Sequence, residues 1–117
     1  MAHAPVARRF TPLQTLEQFD ELLRESQTHP VVIFKHSPTC GTSAMAHDAL
    51  SDLLEGDGPQ VHLVDVRSAR PVSQAIATRL GVRHESPQVL VLADGAVRWH
   101  GSHYRVTADA VRRAVTA

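Results

Sequence analysis

Cys40 is the only cysteine in this sequence and the residue best suited to covalent chemistry. It follows the polar stretch 35–39, which separates an apolar run at 31–34 from a helical pattern. A thiol at the start of a helix loses its proton readily, because the N–H groups of the first turn and the helix dipole favour negative charge. A free cysteine is commonly just a small buried hydrophobe. Its polar surroundings favour the other interpretation, a nucleophilic thiolate at Cys40.

The residue three positions later decides what such a thiolate can do. Residues 40–43 read Cys-Gly-Thr-Ser, whereas a dithiol oxidoreductase carries a second cysteine at the fourth position. Ser43 is able to hydrogen-bond a thiolate, but it is unable to displace one from a disulfide. We therefore predict Cys40 and Ser43 as the catalytic pair, with any disulfide at Cys40 resolved by a thiol from another molecule.

The residues around the cysteine are candidate contacts for a thiol substrate. Two of them, Lys35 and His36, are also expected to bring positive charge towards the thiolate. The candidate contacts on this side of the site are Lys35, His36, Thr39, Gly41 and Thr42.

Hydrophobic periodicity and turn residues predict the elements that must position Cys40. A capping-box pattern at Thr15 and Gln18 opens the first helix, and Asp94-Gly95 is a strong hairpin signal. The predicted elements are a helix (16–23), a buried strand (31–34), a helix (45–54), a strand (61–66), a helix (71–80), two strands (88–92 and 96–99) and a helix after Thr107.

This order predicts one α/β domain. The β-α-β front half implies parallel strands joined by a right-handed crossover, and the hairpin adds antiparallel strands. A four-stranded mixed sheet flanked by helices is typical of the thioredoxin-like fold. We expect residues 10–117 to form this domain and residues 1–9 to be a loosely held tail.

A second constellation, Ser86-Pro87, comes just before the third long strand. In the thioredoxin fold a proline at this place lies beside the active thiol with a cis peptide bond, and such bonds are almost exclusive to X–Pro. The backbone of residue 86 would then form an edge able to pair with an extended substrate. Ser86 and Pro87 are therefore predicted to bind substrate.

The composition excludes several function classes. Lysine and arginine together number 12, as do aspartate and glutamate, so no bulk charge attracts nucleic acid or a membrane surface. No apolar run approaches the length of a membrane span or a signal-peptide core. A lone cysteine suits a reducing compartment, and we expect a cytoplasmic protein. The 8 histidines lack metal-ligand spacing, so we expect them to face solvent and to bind no metal.

Two stretches together resemble one known family. Residues 34–43 (FKHSPTCGTS) and 84–88 (HESPQ) are similar to the matching motifs of the YtxJ family, the monothiol bacilliredoxins. The resemblance implies a protein that acts on mixed disulfides of bacillithiol, a low-molecular-weight thiol used in place of glutathione. It also implies thiolated protein substrates, an external reductant, and no cofactor beyond bacillithiol as co-substrate.

One departure from that family keeps two alternatives open. The family usually shows Cys-Pro-Ile-Ser, whereas Gly41 and Thr42 stand here between the cysteine and the serine. Cys-Gly-Thr-Ser differs by one residue from the Cys-Gly-Phe-Ser of monothiol glutaredoxins, which carry an iron–sulfur cluster between two subunits. A further alternative is a thioredoxin-like binding module without turnover, in which Cys40 only contributes contact.

Overall fold

A computed structural model describes residues 8–117 as a mixed sheet of five strands with helices on both faces. In chain order the elements are β1 (Thr11–Pro12), α1 (Leu16–Glu25), β2 (Val31–His36), α2 (Gly41–Ser51), β3 (Val61–Asp65), α3 (Arg70–Leu80), β4 (Gln88–Ala93), β5 (Ala96–Ser102) and α4 (Ala108–Thr116), with short 3₁₀ turns at Asp52–Leu54 and His103–Arg105. No helix of the described part is long and apolar enough to cross a membrane.

The sheet has five strands, one more than the sequence predicted. The strand order is β1-β3-β2-β4-β5, with β1, β3 and β2 parallel and with β4 and β5 antiparallel to their neighbours. The additional strand, Thr11–Pro12, pairs only with His62 and Leu63 of β3. Two residues are too few to show a period, so a strand of this kind forms through tertiary pairing alone.

The central strand β2 divides the molecule into two cores, because side chains alternate between the faces of a sheet. Val31 and Ile33 join a core with α1 and α3, whereas Val32 and Phe34 join a core with α2 and α4. Burying a side chain such as Phe34 stabilises the fold by about 1.5–3 kcal/mol. β2 is thereby held on both faces and brings Cys40 to the carboxyl end of the sheet.

Several local signals in the sequence act as predicted. Thr15 and Gln18 form the complete capping box of α1. Asp94 and Gly95 both have positive φ, 56° and 76°, as a type I′ hairpin turn requires. Leu16, assigned to the apolar face of α1, is instead 46% exposed, because it lies in the first turn and clear of the core.

The predicted tail, residues 1–9, falls partly outside the described residues, which begin at Arg8. The Arg8 guanidinium donates to the backbone carbonyls of Leu54 (3.0 Å), Gly58 (2.7 Å) and Leu53. Arg8 is therefore attached to the turn that follows α2.

Candidate active site

Cys40 occupies the N-cap of α2, directly after the loop that leaves β2. Its backbone is extended (φ −102°, ψ 126°), and its carbonyl accepts the first helical hydrogen bond, from the Ala44 N–H at 3.0 Å. Its own N–H donates to the Ser37 carbonyl at 3.1 Å. The side chain is partly exposed. The thiol therefore stands at the positive end of the helix and within reach of an external disulfide.

The pKa of the Cys40 thiol is lowered from its ordinary value. The largest cause is the backbone N–H of Ser43, followed by the backbone N–H of Thr42, while slight burial opposes the shift and the Thr42 hydroxyl adds to it. These are the free N–H groups of a helix's first turn, which favour an anion. Lys35 and His36 are not among these causes, and the expectation that they bring positive charge towards the thiolate stays a prediction.

Replacing Thr42 by valine should raise the pH midpoint of Cys40 alkylation by iodoacetamide. The rate follows the thiolate fraction, which persists as pH falls until the lowered pKa is reached. Valine keeps the shape and removes one hydrogen bond to the thiolate, whereas the two backbone N–H groups remain. The midpoint should therefore rise but stay below that of a free cysteine.

Thr39→Val is the matched control for that measurement. Thr39 is adjacent to Cys40, but its hydroxyl accepts from Arg67 at 3.3 Å rather than contacting the thiol. Its alkylation midpoint should equal that of the unmodified protein. An equal shift in both variants would contradict the role given to the Thr42 hydroxyl.

Ser43 serves the site through its backbone. Its side chain is fully buried, and its hydroxyl oxygen accepts from the Ser37 N–H at 3.1 Å. That bond ties the loop after β2 to the first turn of α2 and fixes where Cys40 lies. The sequence predicted a serine that hydrogen-bonds the thiolate; the group acting on the thiolate is the Ser43 backbone N–H.

Lys35 and His36 point to opposite faces of the sheet, because both still belong to β2. Lys35 is 0% exposed, and its Nζ has no hydrogen-bond partner within residues 8–117. His36 lies on the α2 face, 5.2 Å from the His47 ring and 5.4 Å from the Phe34 ring. Burial, and then His47, lower the pKa of His36, and Asp65 opposes them.

The histidines thus differ in part from the solvent-facing set predicted by the sequence. His36, His47 and His62 are partly buried, because each lies on a strand or helix that packs into the molecule. The described residues contain no group of three or more histidine, cysteine, aspartate or glutamate side chains placed to hold a metal ion.

Replacing Lys35 by methionine should raise the free energy of unfolding at pH 7 by about 1–3 kcal/mol, because it removes a buried charge that lacks a partner. Burial lowers the pKa of Lys35 from 10.5 to about 8. Below pH 8 the amine is charged in both the folded and the unfolded chain, so the buried charge lowers the free energy of unfolding by its full amount. Between about pH 8 and 10.5 only the unfolded chain stays charged, and the cost disappears as pH rises.

Denaturant unfolding at pH 7 and pH 10 measures this. The advantage of Lys35→Met should be largest at pH 7 and small at pH 10. A variant that is less stable at pH 7 would show that the ammonium stabilises the folded chain.

Gly41 and Thr39 are both exposed beside the cysteine. A Cβ built on Gly41 meets no atom within 4 Å. The glycine is therefore not required by crowding, and a larger residue fits at this position. Thr39 is the point at which the cysteine loop meets the β3–α3 connection, through its bond from Arg67.

The Ser86–Pro87 peptide bond is cis. Register places it beside the cysteine loop, since Lys35 of β2 pairs with Gln88 of β4 at the same end of the sheet. The Pro87 carbonyl accepts from the His103 N–H at 3.0 Å. The Ser86 backbone forms no hydrogen bond with any described residue. Its N–H and carbonyl are therefore unpaired among the described residues, and the pairing of this edge with a substrate stays a prediction.

Four residues that sequence reasoning missed lie beside Thr42 or Thr39. A small hollow of about 120 Å³ beside Thr42 is lined by Met45 of α2 and by His103 and Tyr104 of the last 3₁₀ turn. Met45, expected inside the second helix, is 61% exposed, and Tyr104 is 79% exposed. Arg67, which contacts Thr39, lies 28 residues away in sequence and gave no local signal.

Comparisons with known proteins agree with this geometry. A family model described as monothiol bacilliredoxin BrxC matches residues 11–111. A solved structure described as a candidate oxidoreductase with a thioredoxin fold is 29% identical, with a TM-score of 0.81, and the match covers 89% of this chain and 91% of that one.

Two thioredoxins show the same fold at lower identity. The thioredoxin of Malassezia sympodialis superposes with a TM-score of 0.73 at 18% identity, covering 99% of this chain and 95% of that one. A thioredoxin variant from Halobacterium salinarum gives 0.69 at 22% identity, covering 97% and 93%. The chain thus shares its architecture with thioredoxins.

Proposed function

Because the chain belongs to the monothiol bacilliredoxin family, we propose that it removes bacillithiol from protein mixed disulfides through Cys40. Family membership and fold support a thiol–disulfide redox function. The single-thiol mechanism at Cys40 is supported by one observation: a lone, helix-capping thiolate has a buried serine where a dithiol enzyme would have its second cysteine. The proposal places the protein in the cytoplasm, where small thiols stay reduced.

The first step is attack of the Cys40 thiolate on the bacillithiol sulfur of the mixed disulfide. A new S–S bond joins Cys40 to bacillithiol, and the bond between bacillithiol and the substrate protein breaks. The substrate cysteine leaves as a thiolate and takes a proton from solvent. The N–H groups of Thr42 and Ser43 hold Cys40 in the anionic form needed for this attack.

The Ser86–Pro87 loop supplies the docking edge for the substrate in this proposal. The free backbone groups of Ser86 suit an extended segment that approaches as an additional strand. Exposed Met45 and Tyr104 provide apolar contact in the hollow beside Thr42, next to this loop.

The second step requires a thiol from outside the chain. A second bacillithiol thiolate attacks the bacillithiol sulfur bound to Cys40, and the symmetric disulfide leaves with Cys40 restored as a thiolate. A separate reductase supplies the two electrons that return this disulfide to free thiol. Ser43 is unable to perform this step, because its buried hydroxyl is bonded within the loop.

Turnover of matched peptides tests the choice of thiol. One peptide is prepared as its bacillithiol mixed disulfide and as its glutathione mixed disulfide, each assayed with the corresponding free thiol. We expect a higher kcat/KM for the bacillithiol pair, and a clear preference for glutathione would contradict the proposal. Anaerobic incubation with iron, sulfide and thiol should leave the protein colourless, whereas the cluster-carrier alternative requires visible absorbance.

A further inference from the structure

A cleft lies next to the cysteine loop, on the face of the sheet opposite α2. It has a volume of about 190 Å³ and is bounded by the start of α3 and by the segment leading to the cis-proline loop. Its lining residues are Val66, Arg67, Arg70, Ser73, Gln74 and His84. Because the Arg67 guanidinium donates to the hydroxyl of Thr39 at 3.3 Å, the cleft opens one residue from the reactive thiol.

The cleft is strongly basic and has no counter-charge of its own. Arg67 and Arg70 are exposed, and neither makes a salt bridge to any residue in 8–117. The acidic groups nearby face elsewhere: the Asp65 carboxylate accepts from the backbone N–H groups of Arg67 (2.9 Å) and Ser68 (3.2 Å), not from a guanidinium. The largest cause that lowers the pKa of the Glu85 carboxyl is a hydrogen bond with the side chain of Ser102 in β5.

A buried ammonium lies behind this cleft and is the second, independent sign of an anionic ligand. The Lys35 side chain points to the α3 face of the sheet and has no partner in the described part of the chain. After the burial of His84 itself, the positive charge of Lys35 is the largest cause that lowers the pKa of His84, and Arg70 follows. His84 lines the cleft, with its Nδ1 3.4 Å from the Ser73 hydroxyl, so the charge of Lys35 acts on a wall of the cleft.

Lysine is used at this one position only, since the other 11 of the 12 basic Lys and Arg residues are arginine. Its neighbour across the sheet, Gln88, also presents a buried Oε1 without a partner among the described residues. An unpaired buried charge costs stability. A site for an anion gives that charge a function.

From this convergence we infer that the cleft binds the carboxylate of the small thiol, and that the enzyme selects carboxylate-bearing thiols over neutral ones. The inference rests on the proposed function and adds to it the site that holds the small-thiol half of the mixed disulfide. Arg67 and Arg70 contact the carboxylate directly, and Lys35 adds attraction from behind His84. With the carboxylate held there, the small-thiol sulfur rather than the protein sulfur is presented to Cys40. Bacillithiol and glutathione both carry carboxylates.

The preference of the enzyme for one of two mixed-disulfide peptides tests whether the cleft binds a carboxylate. A single-cysteine peptide is linked through a disulfide either to glutathione or to 2-mercaptoethanol, which has no charge. The ratio of the two kcat/KM values, glutathione over 2-mercaptoethanol, is compared in the unmodified protein, in Arg67→Gln and in Arg70→Gln. The ratio should fall roughly tenfold in each variant, the effect of losing one charge-assisted hydrogen bond.

Three further measurements distinguish direct contact between the cleft arginines and the carboxylate from an effect of overall protein charge or of structural damage. Arg113→Gln removes an exposed charge from α4, on the opposite face of the sheet, and should leave the ratio unchanged. Arg67→Lys should recover much of the ratio lost in Arg67→Gln. About 1 M salt should reduce the ratio of the unmodified protein, because exposed charges are screened.

The outcomes distinguish this inference from the function on which it rests. If both peptides are turned over at Cys40 but the ratio is unchanged in Arg67→Gln and Arg70→Gln, the cleft assignment is overturned and thiol transfer stands. An equal fall in Arg113→Gln also overturns it. If neither peptide is turned over, the cleft assignment is overturned; if the bacillithiol peptide is not turned over either, while Cys40 can still be alkylated, the proposed function is overturned as well.

Discussion

Replacing Cys40 by alanine is expected to reduce the release of small thiol from a mixed-disulfide peptide by at least about a thousandfold, to the uncatalysed rate. The mechanism runs through a covalent intermediate on that sulfur, and the chain contains no other cysteine to form it. Alanine at this N-cap leaves the Thr42 and Ser43 N–H groups without the thiolate, and losing an N-cap side chain costs about 1 kcal/mol. The loss of activity should therefore come without a large loss of stability.

The measurement is peptide-thiol release with the variant and with the unmodified protein, each checked by thermal unfolding. The same variant separates an enzyme from a binding module, since a pure binding module would keep its affinity for the partner. Turnover above one tenth of the original rate in Cys40→Ala would exclude a covalent role for the thiol.

Replacing Ser43 by cysteine is expected to convert the site from a single-thiol to a dithiol centre. The Ser43 backbone N–H already approaches the Cys40 thiolate closely enough to lower its pKa, and the side chain at 43 is buried in the same first turn of α2. A thiol placed there should attack a mixed disulfide at Cys40 from inside the protein, expel the small thiol, and leave an internal disulfide. Release of small thiol in the first turnover would then need no external thiol.

Intact mass after mild oxidation measures this change, since the internal disulfide removes two hydrogen atoms and blocks alkylation. Asp48→Cys is the matched control, because it adds an exposed thiol to the same helix more than two turns from the N-cap. That variant should keep both thiols open to alkylation. If Ser43→Cys behaves in the same way, position 43 does not face the thiol.

The features that the sequence predicted well are those set by local chemistry. The capping box at Thr15 and Gln18, the hairpin turn at Asp94-Gly95 and the N-cap position of Cys40 each depend on neighbouring residues only. The position of Ser86-Pro87 beside the site was expected from the thioredoxin-like fold that the element order indicated, and the pairing of β2 with β4 places it there.

The features that it missed depend on where chain segments meet. The apolar run ends at Phe34, so the sequence predicts that the strand ends there. Pairing with β3 and β4 instead extends β2 through Lys35 and His36, whose side chains point to opposite faces of the sheet. The contact between Arg67 and Thr39 requires the crossover to be folded. No periodicity or motif in the sequence predicts a contact of this kind.

Mass spectrometry of the first turnover measures directly which sulfur Cys40 attacks. The protein is mixed with a stoichiometric amount of peptide–bacillithiol disulfide in the absence of free thiol, quenched with acid, and weighed intact. We predict a single adduct with the mass of bacillithiol on the unmodified protein, an equal amount of free peptide, and no adduct on Cys40→Ala. An adduct with the mass of the peptide, or an unmodified Cys40 that still reacts with iodoacetamide, would contradict attack of Cys40 on the bacillithiol sulfur.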